Sequence, residues 1–149
     1  MTNQAYVAPV RLRRPSWTLL IPLLIVPLVL YNFIALVFFH STPAGWSNQL
    51  FAIFMASGAP WVLTLGDLLV VVGLVCLFFE IMKSTRTGKS SIIEHILSTG
   101  VFIIFLIEFI LLGAAASSTF FILMVMSLID VIAGFSVSLS AAERDVSYN

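Results

Sequence analysis

Residues 61–82, WVLTLGDLLVVVGLVCLFFEIM, followed at once by KSTRTGKSS at 83–91, decide the fold class of this chain. The first string has no Lys or Arg and is apolar on every helical face. At about 1.5 Å per residue it is long enough to cross a hydrocarbon layer of roughly 30 Å. The second string carries Lys83, Arg86 and Lys89 and belongs in water or among lipid headgroups. An apolar span that stops at a basic turn reads as a membrane helix ending at the cytoplasmic face.

The same pattern recurs outward from this stretch. Residues 1–16 are polar and hold Arg11, Arg13 and Arg14, and an uncharged apolar run then extends from Trp17 to Phe39. That run is too long for the apolar core of a signal peptide, and no small-residue cleavage site follows it, so it predicts a retained first span. Pro22 and Pro27 predict a bend within it. Two further runs follow the basic turn, at 92–112 and 120–139, separated by the small-residue turn Gly113–Thr119. The expected fold is therefore all-α: a polytopic membrane protein whose four transmembrane helices (17–39, 61–82, 92–112, 120–139) form an antiparallel bundle. Residues 1–16 and 140–149 form polar tails.

Two local features refine this plan. Trp46, Leu50, Ile53 and Phe54 fall at helical spacing, which predicts a short helix lying in the outer interface, with Pro60 opening the second span. Ser91-Ile92-Ile93-Glu94 has the form of a capping box for the third helix.

Composition agrees with a chain solvated by lipid. Of 149 residues, 60% are hydrophobic and 9% charged, with a mean hydropathy of +1.12. A soluble domain of this size carries about a quarter charged residues to cover its surface. All seven Lys and Arg lie in the first tail, the middle turn or, as Arg144, the last tail. The positive-inside rule then puts both termini and the middle turn in the cytoplasm. Arg11, Arg13, Arg14, Lys83, Arg86 and Lys89 are the candidate lipid-headgroup contacts. Trp17 is expected at the inner interface, Trp46 and Trp61 at the outer.

Residues able to carry chemistry are few. Asp67, Glu108 and Asp130 lie within the spans, where a carboxylate is costly unless neutral, hydrogen-bonded or paired. Counted from the span ends, Asp67 lies about 9 Å below the outer boundary and Glu108 at a similar depth, with Asp130 nearer the midplane. In one bundle the three are expected to form an acidic site with no cationic partner in the chain, able to share protons or hold a cation. The competing expectation is interhelical glue. Gly66 and Gly73, in a heptad stripe with Glu80, and Ser127, Gly134 and Ser138, on one face with Asp130, mark helix packing surfaces.

Other constellations fail on chemistry. Thr87-Gly88-Lys89-Ser90 ends like a phosphate-binding loop but lacks the upstream glycine and strand, so no nucleotide site is expected. His40 and His95 lie on opposite sides of the membrane, which excludes bis-histidine haem within one chain and makes a poor zinc site. Ser117-Ser118 has no histidine nearby. Cys76 is alone, so neither a disulfide framework nor a dithiol relay can form, and it reads as a small hydrophobe. No metal, cofactor or nucleic acid is expected.

The segments Phe79-Glu80-Ile81-Met82-Lys83-Ser84-Thr85-Arg86-Thr87-Gly88, Ile92-Ile93-Glu94-His95 and Ser127-Leu128-Ile129-Asp130-Val131-Ile132-Ala133-Gly134-Phe135 give the chain a resemblance. Between Gly66 and Gly134 it resembles a group of small four-helix inner-membrane proteins of proteobacteria without an assigned function. The resemblance implies a bacterial inner-membrane setting and transfers no activity or site. The functional expectation is a non-enzymatic protein that acts by helix association, as an accessory or assembly subunit or a homo-oligomer, with lipids and other membrane chains as partners. The alternative is a proton- or cation-coupled transporter or channel using the three carboxylates.

Overall fold

A computed structural model of the protein describes residues 21–84 and 89–147. Helix α1 (Ile25–Val37) is followed by a short 3-10 helix (Pro43–Ser47), strands β1 (Gln49–Phe54) and β2 (Pro60–Thr64), and helix α2 (Leu65–Ser84). Helix α3 (Lys89–Leu111), a single 3-10 turn (Gly113–Ala115) and helix α4 (Ser118–Ser147) complete it. Three helical stretches, Leu65–Ser84, Ile93–Leu111 and Ser118–Val137, are long and apolar enough to cross a membrane.

The first span is shorter than the sequence predicts. With 13 residues, α1 is about 20 Å long, less than the roughly 30 Å of a hydrocarbon core. Pro22 has no N–H to give, and it biases Ile21 away from helical backbone. The chain therefore enters α1 through a turn, with the Ile25 and Val26 amides donating to the Pro22 and Leu23 carbonyls. Pro27 then falls in the first helical turn, where it costs no hydrogen bond that a helix start would have made. At the other end the chain leaves α1 through His40 and Ser41, both with positive φ (48° and 63°). Ser41 N–H reaches back to the Ala35 carbonyl at 2.9 Å, which closes the helix end.

The loop after α1 holds the largest departure from expectation. No interfacial helix forms over Trp46–Phe54. The 3-10 helix ends at Ser47, and residues 49–64 form an antiparallel hairpin that pairs Phe51 with Leu63, Ile53 with Trp61 and Phe54 with Pro60. Leu50 to Phe54 is a continuous apolar run, rich in aromatic and branched residues, whose helical spacing is a by-product of its density. Ala56-Ser57-Gly58 makes the turn: Gly58 N–H bonds the Met55 carbonyl, Met55 N–H bonds the Ala59 carbonyl, and Gly58 takes φ +81°. A three-residue hairpin loop needs a left-handed residue there, and glycine adopts it without steric cost. Pro60 thus opens β2 and not α2.

Helix α2 starts at Leu65 because Thr64 and Asp67 form a reciprocal cap. The Asp67 carboxylate accepts from the Thr64 N–H (2.9 Å) and hydroxyl (2.7 Å), while Asp67 N–H donates to the Thr64 hydroxyl (3.1 Å). The expected capping box at Ser91 is not a cap: α3 is already helical at Lys89. At the far end, α4 runs on through the polar residues 141–147 that the sequence leaves as tail.

The helices interlock through heptad-like stripes. Gly66, Leu69, Gly73, Leu77, Glu80 and Ser84 are the buried face of α2. Ser98, Val101 and Phe105 serve α3, and Phe120, Leu123, Ser127 and Asp130 serve α4. A Cβ on Gly66 would meet the Thr119 side chain and one on Gly73 would meet Leu123 and Met126, so α2 and α4 run parallel and in step. Against α3, Gly134 meets His95 while Phe120 meets Phe105 and Phe109, so α3 and α4 are antiparallel. Helix α4 lies between α2 and α3, and α1 leans mainly on α2.

Candidate functional site: a buried charge cluster near the end of α2

The polar centre of the molecule is built on Glu80, at the end of the α2 stripe and only 3% exposed. One carboxylate oxygen accepts the Leu23 N–H at 2.9 Å; the other accepts from the Lys83 ammonium at 2.7 Å. Lys83 also donates to the Ile21 carbonyl at 3.2 Å. This amide and carbonyl lie on the non-helical turn that precedes α1, so the failure of α1 to extend backwards is what frees them. One ion pair ties the entry of α1 to the end of α2.

Asp130 of α4 joins the cluster from the other side. It is 5% exposed, accepts a hydrogen bond from Ser98 of α3, and lies within electrostatic reach of Glu80 and Lys83. One turn along, the His95 ring of α3 packs against Gly134 of α4. The cluster thus draws on all four helices or their entry turns. Among the described residues it places two carboxylates, Glu80 and Asp130, beside one ammonium, Lys83.

The expected trio of Asp67, Glu108 and Asp130 is not brought together. Asp67 is exposed at the opposite end of α2 and is used up by its cap with Thr64. Glu108 is half-buried and accepts from Asn32 Nδ2 of α1 at 2.7 Å. Asp130 sits with Glu80 and Lys83, so the cation missing from the sequence reading is in the chain. Among the described residues, no three His, Cys, Asp or Glu side chains converge as metal ligands would.

Of the expected packing residues, Gly66, Gly73 and Gly134 each face a side chain of a neighbouring helix. Ser127 is buried but bonds its own helix, at the Met124 carbonyl (2.8 Å). The side chain of Ser138 lies outside the described residues. Lys83 is turned inward and is not a headgroup contact; Arg11, Arg13, Arg14 and Arg86, and the side chain of Lys89, lie outside the described residues. Thr87 and Gly88 do too, and helix α2 stands where a phosphate-binding loop needs a strand. Cys76 is half-buried against the apolar core.

The opposite end is closed by aromatic residues that sequence reasoning underrates. Tyr31 is fully buried, stacks on Trp46 (centroids 4.3 Å apart) and meets Phe120 edge-on. Its hydroxyl donates to the Ala114 carbonyl at 2.8 Å or shares a proton with Ser117, which also caps α4 by accepting the Phe120 N–H. Trp46, expected at the outer interface, is instead 2% exposed. Its indole N–H lies near the Tyr31 hydroxyl without completing a hydrogen bond of proper geometry. Tyr31 and Asn32 were legible only as polar interruptions of an apolar run. Glu80 and Lys83 carried a clearer sign, an acid and a base one helical turn apart.

Comparison of the chain with protein-family models, with curated proteins and with solved structures gives no match in any of the three, so functional argument rests on these residues alone.

Proposed function

We propose that the protein is a four-span membrane protein that acts by helix association, as an accessory or assembly subunit or as a homo-oligomer, and performs no covalent chemistry. The setting we propose is a bacterial inner membrane with both termini in the cytoplasm. The placement of all seven basic residues supports that orientation. So does the resemblance to small proteobacterial inner-membrane proteins. The fourth crossing is supported by the uncharged apolar run from Trp17 to Phe39, which contains α1.

The observation that carries the association reading is Gly100. Gly66, Gly73 and Gly134 are each occupied by a neighbouring helix, but a Cβ on Gly100 of α3 would meet nothing within 4 Å. It lies on an outward face with Ile96, Ile103, Ile104 and Ile107, all exposed. Bare backbone framed by branched side chains is the surface against which a second membrane helix packs closely. The test is cysteine cross-linking at position 103 in native membranes, with and without Gly100→Leu. A cross-linked species that Gly100→Leu abolishes supports the reading. Absence of any cross-linked species, together with a monomer in mild detergent, overturns it.

A second reading is favoured by the two buried carboxylates, Glu80 and Asp130, of the Glu80–Lys83–Asp130 cluster. It is a proton- or cation-coupled transporter in which Asp130, and not the wider trio, carries the exchangeable proton. Asp130→Asn that leaves pH-driven flux in liposomes intact would sink it.

A further inference from the structure

The β1–β2 hairpin has a chemistry unlike that of a water-facing loop. Residues 49–64 contain no charged side chain. Strand pairing puts Phe51, Ile53, Trp61 and Leu63 on one face and Ala52, Phe54 and Val62 on the other. Neither face is polar. Among the described residues neither is covered over β1: every residue of β1 is exposed, and Phe54 is 82% exposed. An isolated two-stranded hairpin is marginal in water, and one with two apolar faces would aggregate.

Its edges decide between a lipid and a protein cover. The Met55–Ala59 bond makes that pair hydrogen-bonded, so by alternation the amides of 60, 62 and 64 point outward from β2. Pro60 has no N–H, and the Thr64 N–H is held by Asp67. Only Val62 keeps a donor on that edge. On β1 the register slips between Gln49 and Phe51, a bulge that breaks edge regularity. Both edges are thus poor templates for a strand from a second copy. The free amides of Ala52 and Phe54 still need acceptors, which the hydrocarbon core lacks and the headgroup region has. The hairpin also runs into α2 without a linker, since Thr64 ends one and Leu65 begins the other.

We propose that the hairpin is a lipid-binding element that lies in the headgroup and upper acyl region of the leaflet where α2 begins, anchored by Phe51, Phe54 and Trp61. The proposal rests on the reading of α2 as a membrane span. The test uses full-length protein in phosphatidylcholine vesicles containing lipids brominated either near the glycerol or near the chain ends. The Trp61 emission is taken as wild type minus Trp61→Phe. A Leu74→Trp variant, on the exposed face of α2, reports the span.

The expected result is a greater loss of Trp61 emission with the shallow bromine, and of the position-74 signal with the deep one. If position 74 is quenched while Trp61 answers only to aqueous iodide, the hairpin is in water and the proposal falls while the span stands. If Trp61 is shielded from both lipid and iodide, a protein covers it and the proposal also falls. If position 74 is not quenched either, both readings fail. Phe54→Trp repeats the measurement should Trp61→Phe not fold.

Discussion

The Lys83 ammonium meets two partners, the Glu80 carboxylate and the Ile21 carbonyl, and so joins the end of α2 to the entry of α1. Removing Lys83 takes away the ammonium that Glu80 and Asp130 face among the described residues. We expect Lys83→Met to lower stability by about 3–5 kcal/mol, read as a fall in melting temperature in detergent micelles. Glu80→Gln combined with Lys83→Met should recover much of that loss, because the uncompensated charge goes with it. A double variant as unstable as Lys83→Met alone would show that the pair acts through packing. Gly73 is a second sensitive position. Its Cβ would lie 2.6 Å from Leu123 Cδ2, so Gly73→Leu should destabilise by about 1–3 kcal/mol through overpacking within the chain, a clash that Gly100→Leu does not create. These residues were partly legible: the glycine stripe is local periodicity, but which helix fills it is not.

Elements are set largely by short-range chemistry, and the errors of sequence reading lie where two short-range signals compete. Around Trp46–Phe54 a helical spacing and a strand-like composition coexist, and the Ala56-Ser57-Gly58 turn settles the matter in favour of a hairpin. Gly58→Val should loosen this hairpin without unfolding the helices, seen as faster proteolysis between residues 49 and 64 with unchanged helical circular dichroism. Thr64 shows the same logic at a helix start. It caps α2 with Asp67, so Thr64→Ala should cost about 0.5–2 kcal/mol and speed hydrogen exchange at the first α2 amides. Asp67→Asn should by the same argument leave any ion flux unaltered. The Thr64–Asp67 cap escapes sequence reading because the apolar run that begins at Trp61 hides where the helix begins.

At the scale of the whole molecule, three apolar helices and α1 are drawn together by two end closures, one charged and one aromatic. Orientation is tested by fusion: alkaline phosphatase should be active when inserted at Gly58 and inactive at Asn149, and the reverse would overturn the inside-out assignment. Composition, apolar run length and the placement of basic residues are additive, local quantities, so the sequence by itself determined a helical chain suited to lipid and where its long helices fall. It also marked the small residues on which helices meet. The partners of each acid were decided only by the tertiary structure. Whether Asp130 meets Asp67 or Lys83 depends on the rotation and register of α2, α3 and α4 against one another, and on a proline-broken turn before α1 that offers its amide to Glu80. Those are relations between distant segments, and no window of sequence contains them.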